Sequence, residues 1–152
     1  MEVVFGDSTC INSWMRLVRK VSWNLPGLET EEYINEHEQI VIKFMNKKQA
    51  LCVKSQETII GFLLFSRNKN MICCLAVDPE HRREGITSTL LRKALNELDA
   101  RREITVSTFR ENDEKGISGR RIDRRIWLPK SIICFAPINS NLSFSNWSMQ
   151  LY

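Results

Sequence analysis

One short stretch of the sequence groups side chains that could bind an anion. Residues 75–91 read LAVDPEHRREGITSTLL, and positions 81–85 (His-Arg-Arg-Glu-Gly) fall where an apolar strand should end and a helix begin. A helix N-terminus carries unpaired backbone N–H groups and the positive end of the helix dipole. Arginine can neutralise a phosphate through forked hydrogen bonds, and glycine lets the backbone approach a ligand closely. The junction therefore predicts a phosphate site, and the alternative is a solvated basic helix start with a glycine for packing.

This junction does not match the common nucleotide-binding loops. No Gly-Lys-Ser/Thr triplet follows it, and the glycines do not form the Gly-x-Gly-x-x-Gly pattern. Thr87 and Ser88 add hydroxyl groups to the first turn of the predicted helix. A phosphate would thus be held by backbone N–H groups and arginines in a different kind of turn.

Composition and length indicate one globular domain, residues 1–152. The chain is 43% hydrophobic and 26% charged, with a net charge of +4 that suits an anionic ligand without identifying one. No apolar run reaches the roughly 18 residues of a membrane span, and the N-terminus has no secretory pattern, so we expect a cytoplasmic protein. Its two histidines do not pair with cysteines at zinc spacing, and we expect no metal. The cysteines are expected to be buried reduced thiols, with disulfides as the alternative: Cys10, Cys52, Cys73, Cys74 and Cys134.

Hydrophobic periodicity predicts a mixed sheet with helices on both sides. Helices are expected from Cys10 to Val21, from after Thr30 to near Asn46, and from Ile86 to Leu98. Period-two or continuous apolar patterns predict strands at EVVF, QALCVK, ETIIGFLLFSR, MICCLAV and EITVSTF. The continuous apolar character of MICCLAV (residues 71–77) predicts a strand that is covered on both faces.

The junction and this order of elements resemble the GCN5-related N-acetyltransferase (GNAT) family, in particular small bacterial members with unassigned substrates. The family pattern is V-x-P-x-x-R followed by Arg/Gln-x-x-Gly-x-Gly/Ala. Val77, Pro79, Arg82 and Gly85 match it, whereas Thr87 stands where the family has Gly or Ala. The resemblance covers residues 1 to about 120. It implies an α/β (α+β) acyl-CoA N-acyltransferase fold with a mixed, mostly antiparallel sheet.

The resemblance also implies that the chain binds acetyl-CoA. The backbone of residues 75–77 would pair with the pantetheine arm, and N–H groups from the turn would hold the pyrophosphate. A splay between MICCLAV and EITVSTF would admit the thioester. The implied cofactor-binding residues are Leu75, Ala76, Val77, Arg82, Arg83, Glu84, Gly85, Ile86, Thr87, Ser88 and Asn112.

The implied chemistry is direct attack of a primary amine on the thioester. The backbone N–H of Leu75 is the candidate to stabilise the oxyanion, and a base must take a proton from the ammonium. Each candidate base has a simpler interpretation as a solvated helix carboxylate or, for the histidine, a packed side chain. The candidates are Glu29, Glu31, Glu32, Glu36 and His37. Trp23 could line the acceptor site or belong to the core. A homodimer remains possible on this pattern.

After residue 118 the sequence departs from the family. Asp123 stands where members commonly have a tyrosine that protonates the leaving thiolate, and an ionised aspartate cannot donate a proton. Two hypotheses follow: an acetyl-CoA-dependent N-acetyltransferase, or a coenzyme A binder with little or no catalysis. A third, a nucleic-acid module built on the RRIDRR segment (120–125), is disfavoured because no aromatic residues interleave with the basic ones.

The C-terminal segment, residues 122–152, has an atypical composition. Residues 131–152 contain no Asp, Glu, Lys or Arg. Permitted codons for residues 122–137, read one base later, encode LIEEFGYPNQLFVLHQ, which resembles the last strands of bacterial members of the family. We therefore predict that the tail from about Gly119 is a frameshift product. Re-sequencing of the gene is expected to reveal the shifted frame. An unchanged gene, with relatives encoding IDRRIWLPKS in frame, would contradict the prediction.

Overall fold

The structure is a computed structural model and describes residues 1–22, 28, 30–107 and 132–135. The three α-helices and the first five strands follow the order predicted from periodicity, whereas the sixth strand was not predicted. The strands are β1 (Val3–Phe5), β2 (Ala50–Ser55), β3 (Thr58–Ser66), β4 (Met71–Val77), β5 (Ile104–Ser107) and β6 (Ile132–Phe135). The α-helices are α1 (Ile11–Val21), α2 (Glu31–Asn46) and α3 (Ile86–Glu97).

The strands form one mixed sheet in the order β1-β2-β3-β4-β5-β6. The first four strands pair antiparallel, whereas β5 lies parallel to β4, and β6 lies parallel to β5. A parallel neighbour requires a crossover connection, and α3 supplies it between β4 and β5. The predicted mixed, mostly antiparallel sheet is confirmed. Strand β6 belongs to the atypical tail, and the rest of that tail lies outside the described residues.

Helices cover both faces of the sheet, as predicted. On one face, α1 and α2 bury side chains such as Trp14, Val18 and Val41 against the sheet, and Trp14 stacks on Phe62 with ring centroids 4.7 Å apart. On the other face, Leu90 and Leu91 of α3 are buried in a second apolar cluster. Strand β4 is buried over residues 72–77 because both layers pack against it.

Local sequence signals fix the start of α2. The Thr30 hydroxyl accepts a hydrogen bond from the Tyr33 N–H at 3.3 Å, and Glu31 and Glu32 occupy the first turn. This N-cap satisfies one of the donors that a helix start leaves unpaired, and the carboxylates favour the helix dipole. The predicted helix start after Thr30 is therefore confirmed.

Four of the five cysteines are buried free thiols, namely Cys10, Cys52, Cys73 and Cys74. Burial raises the pKa of Cys52, Cys73 and Cys74 to about 12. These three thiols therefore stay protonated and weakly reactive at neutral pH. Within the described ranges, no helix has the length and apolar character needed to cross a membrane. No group of potential ligands in those ranges could hold a metal ion.

Close packing of α3 on the sheet depends on Gly61 in β3. A Cβ atom at this position would lie 2.5 Å from Cγ2 of Ile86 and 3.4 Å from Cδ1 of Leu90. The first distance is far below van der Waals contact, so the first turn of α3 would have to move away from the sheet.

We therefore expect Gly61→Ala to lower the free energy of unfolding by about 1–3 kcal/mol through overpacking. Ile86→Leu removes the clashing Cγ2 at nearly constant volume, and the double variant should recover at least about 0.5 kcal/mol relative to the sum of the single changes. Urea unfolding of the four proteins measures this coupling. Strict additivity would show that the Gly61–Ile86 contact does not limit the approach of α3.

Candidate functional site

Strands β4 and β5 separate after a short parallel ladder. Only Met71 and Ile72 of β4 pair with β5, opposite Thr105 and Val106. The register against β3 also shifts here, because Leu64 faces Cys74 whereas Phe65 faces Ile72. Cys73 is thus an extra, bulged residue, and bulges bend a strand and end its regular pairing. Among the described residues, Cys73 to Val77 have no partner on the β5 side, as the predicted splay between the two strands requires.

The backbone N–H and carbonyl groups of β4 alternate between the β3 side and the open edge of the strand. The Asp78 N–H donates to the Ile60 carbonyl of β3 at 2.8 Å, so this residue turns towards β3. Backbone direction alternates along an antiparallel strand, and Ala76 therefore also turns towards β3. Leu75 and Val77 direct their N–H and carbonyl groups the other way, into the splay. A ligand strand at this edge would meet Leu75 and Val77, whereas the backbone of Ala76 is used within the sheet.

Asn70 holds the closed end of the splay. Its buried side-chain amide donates to the carbonyls of Asp99 and Glu103 at 3.0 and 2.9 Å, and its Oδ1 accepts from the Asp99 N–H at 2.8 Å. Its own carbonyl accepts from the Thr105 N–H of β5 at 3.1 Å. One side chain thus ties the start of β4 to the loop that leads into β5. The sequence shows this residue only as part of a polar turn.

The turn between β4 and α3 has the conformation of an anion-binding site. Arg83 and Gly85 both have left-handed backbones, with φ of 68° and 79°. In anion-binding nests, paired right- and left-handed residues direct successive N–H groups into one concavity, and two left-handed residues within three positions are compatible with such a turn. A Cβ at Gly85 would meet no protein atom within 4 Å, so glycine is required here by its backbone angle and not by protein crowding.

The N-terminus of α3 continues this concavity. Gly85 is its N-cap and provides no side-chain hydrogen bond, and the first intrahelical bond runs from Thr89 N–H to the Gly85 carbonyl at 3.1 Å. The N–H groups of Ile86, Thr87 and Ser88 therefore precede the helical ladder. Arg82, Arg83 and Glu84 are exposed beside them. The structure thus brings together the whole predicted stretch from residue 82 to residue 88.

A buried aspartate fixes the start of this turn. Asp78 accepts two hydrogen bonds from the Lys20 ammonium of α1, at 2.8 and 2.9 Å, and one from the Glu80 N–H at 3.0 Å. Burial raises the pKa of Asp78, but the bonds from Lys20 and Glu80 outweigh it, and the pKa lies below its ordinary value. Lys20 also contacts Glu80 at 3.0 Å. Sequence reasoning missed both Lys20 and Asp78, although Asp-Pro is a recognised turn signal.

A groove of about 570 Å³ lies beside the bulge, on the face of the sheet that carries α2. The bulged residue Cys73 forms part of its wall, together with Met71 of the same strand. Glu36 of α2 lines the groove, and it is the predicted candidate base that the structure places there. Its remaining lining residues are Gln39, Ile40, Lys43, Phe44, Lys47, Gln49, Ser66, Asn68 and Lys69.

The other candidate bases lie in different surroundings. Glu31 is exposed and pairs with Arg19 at 3.3 Å, and Glu32 is exposed on the first turn of α2. His37 is fully buried, and burial lowers its pKa to about 4. His37 is therefore a packed core residue, which was the alternative to its role as a base in the sequence analysis. Predicted residues outside the described ranges are Trp23, Glu29, Asn112 and Asp123.

Comparison with known families identifies the fold and its superfamily. A model of the acetyltransferase (GNAT) family matches residues 14–115, which is more than half of the chain. This chain is a member of the GNAT acetyltransferase family. The resemblance inferred from the residue 77–87 motif is thereby confirmed. Comparison with curated protein sequences gives no match.

Solved GNAT structures resemble the chain in fold at low sequence identity. Aminoglycoside 6'-N-acetyltransferase from Acinetobacter haemolyticus aligns with a TM-score of 0.58 at 17% identity, over 86% of this chain and 92% of that one. A GNAT protein from Kribbella flavida gives 0.51 at 19% identity, and one from Bacillus cereus gives 0.50 at 21%. These alignments cover 63% and 62% of this chain, but only 26% and 61% of those proteins. The likeness therefore establishes the GNAT fold alone.

The buried state of His37 predicts a pH-dependent stability of this GNAT domain. Its folded pKa of about 4 lies below the ordinary 6.5, so the unfolded chain binds more protons between these values. Stability is fully present above about pH 6.5 and is lost as the pH falls towards 4. We expect His37→Gln to remove roughly 2 kcal/mol of the stability difference between about pH 7 and pH 5. Urea unfolding at both pH values measures it. An unchanged pH dependence in the variant would contradict the burial argument.

Proposed function

We propose that this chain is an N-acetyltransferase that transfers the acetyl group of acetyl-CoA to a primary amine by direct attack. Family membership supports acyl transfer from acetyl-CoA in general. The observation that carries the proposal for this chain is the continuity of two features. The unpaired edge of β4 at Leu75 and Val77 leads directly into the anion-binding turn at residues 82–88.

The proposed binding mode uses both features in one direction. The pyrophosphate would lie in the concavity of the turn, against the N–H groups from Arg83 to Ser88 and the guanidinium groups of Arg82 and Arg83. The pantetheine amides would pair with Leu75 and Val77 like an added strand. Thr87 leaves its backbone N–H available, so its side chain does not remove a donor. Asn112 is proposed beside the pantetheine on the family pattern alone.

The proposed reaction takes place where β4 bends. The amine nitrogen attacks the thioester carbon, a C–N bond forms, the C–S bond breaks, and coenzyme A leaves as a thiol or thiolate. The Leu75 N–H faces the splay and is proposed to donate to the oxyanion. Cys73, with its pKa raised to about 12 by burial, is a poor nucleophile, which favours direct transfer over an acyl-cysteine intermediate.

We further propose Glu36 as the group that accepts the ammonium proton, directly or through water. It lines the groove that reaches Cys73, whereas the described alternatives Glu31 and Glu32 do not line it. The acid for the leaving thiolate is not assigned, because Asp123 replaces the family tyrosine. This replacement favours the second candidate function, binding of acetyl-CoA with little or no turnover.

The first experiment measures the melting temperature with saturating acetyl-CoA. Ligand at a hundred times its dissociation constant should add about 2.7 kcal/mol of stability. Substituting Arg82→Gln and Arg83→Gln together should weaken binding about tenfold or more, because two charge-assisted contacts are lost. Arg92→Gln, an exposed arginine further along α3, is the matched control and should bind as the parent does. No rise in a protein that melts cooperatively would contradict both candidate functions.

Turnover of a panel of primary amines then separates the two candidates. For an active enzyme, Glu36→Gln should lower kcat/KM by about a hundredfold or more, the usual effect of losing a general base. Glu38→Gln is the matched control, because Glu38 is on α2 but does not line the groove. Acetyl-CoA binding without turnover of any amine would favour the binding function instead. Equal loss in both variants would reject Glu36 as the base.

A further inference from the structure

The groove beside Cys73 has an uneven charge distribution along α2. Of its described lining residues, Glu36 is the one carboxylate, and Lys43, Lys47 and Lys69 are ammonium groups. Glu36, Lys43 and Lys47 are exposed, and none forms an ion pair with another described residue. Their charges are therefore available to a ligand in the groove.

The order of these residues along the helix separates the two signs. Positions 36, 40, 43 and 47 recur at three- and four-residue steps and so share one face of α2. A rise of about 1.5 Å per residue places Glu36 and Lys43 roughly 10 Å apart along the axis, with Lys47 about 6 Å further on. The groove thus has a negative end and a positive end.

The segment between the charged ends carries two half-buried apolar side chains of α2 beside the exposed Gln39. Ile40 and Phe44 of α2 are half-buried there, and Met71 of β4 is half-buried across the groove from them. On α2, no charged side chain that lines the groove stands between Glu36 and Lys43. A short methylene chain would bury apolar area against the apolar side chains without leaving a polar group unpaired.

We propose that the acceptor is a zwitterionic amine: a primary amine joined by an apolar chain to a carboxylate or phosphate group. The ammonium end lies towards Glu36, and the anionic end is held by Lys43 and Lys47. This assignment rests on the proposed acetyl transfer, and it names the substrate class for that same site. It disfavours polycationic amines, because they would place a second positive charge against the two lysines.

The test compares acceptors that differ only in the anionic group. Binding of γ-aminobutyrate and ε-aminocaproate is measured by calorimetry against binding of their amides, in the presence of coenzyme A, with spermidine as the polycation. Turnover with acetyl-CoA is followed in parallel. At least one acid should exceed its amide about tenfold in affinity, the effect of one charge-assisted hydrogen bond. Because both lysines are exposed, the preference should shrink as ionic strength rises. Phosphoethanolamine is compared with ethanolamine, its counterpart without the phosphate, in a separate arm that tests phosphate.

Variants identify the groups responsible for the preference. Lys43→Gln combined with Lys47→Gln should remove most of the preference for the acid and leave binding of the amide nearly unchanged. Lys48→Gln is the matched control, since Lys48 is exposed next to the helix end but does not line the groove.

The same preparations distinguish failure of the inference from failure of the proposed function. If acetyl-CoA raises the melting temperature but no acid or phosphate binds better than its neutral counterpart, the zwitterion inference is wrong and the proposed function stands. An equal preference in the Lys43/Lys47 double variant would also overturn the inference. If acetyl-CoA does not bind, the proposed function fails, and the inference falls with it.

Discussion

The site depends on one constraint: strand β4 must stay unpaired beyond Ile72 on its β5 side. Unpaired backbone groups at a sheet edge are costly when buried and invite another strand. Here the parallel ladder ends after two residue pairs, and the bulge at Cys73 bends β4 away while Asn70 keeps the other end closed. Within the described residues, the β5 side of residues 73–77 therefore has no strand partner, and an extended ligand could satisfy the backbone donors and acceptors there.

The anion-binding turn is held from both faces of the sheet. On one face, the absence of a side chain at Gly61 lets the first turn of α3 approach β3. From the opposite face, Lys20 of α1 reaches Asp78, which caps the short turn that precedes Arg82. The position of the α3 N-terminus is thus set by packing and by a partly buried ion pair. The residues of the turn itself determine only its local backbone conformation.

The two sides of the splay have different chemistry, which suits a reaction between two substrates. The turn and the edge of β4 offer backbone donors and arginines to an anionic, extended molecule. The groove on the α2 face offers a carboxylate, lysines and apolar side chains to a smaller one. The groove reaches Cys73 of the same strand, whose thiol stays protonated because burial raises its pKa to about 12. Under the proposed function, such a site would bring an amine to a thioester and leave the protein little covalent chemistry to perform.

The sequence by itself determined the fold and the position of the turn between β4 and α3, because both rest on local signals: apolar periodicity, the Thr30 cap, and the spacing of Arg82, Gly85 and the following helix. It did not determine which carboxylate lines the groove beside Cys73, since Glu31, Glu32 and Glu36 look alike on one helix. Tertiary structure decided that choice by turning Glu36 into the groove, and it revealed Asn70, Lys20 and Asp78 as supports. The physical reason is that helix and strand patterns depend on residues a few positions apart, whereas the hydrogen-bond partners of Lys20 and Asn70 lie about 30 to 60 positions away in the chain.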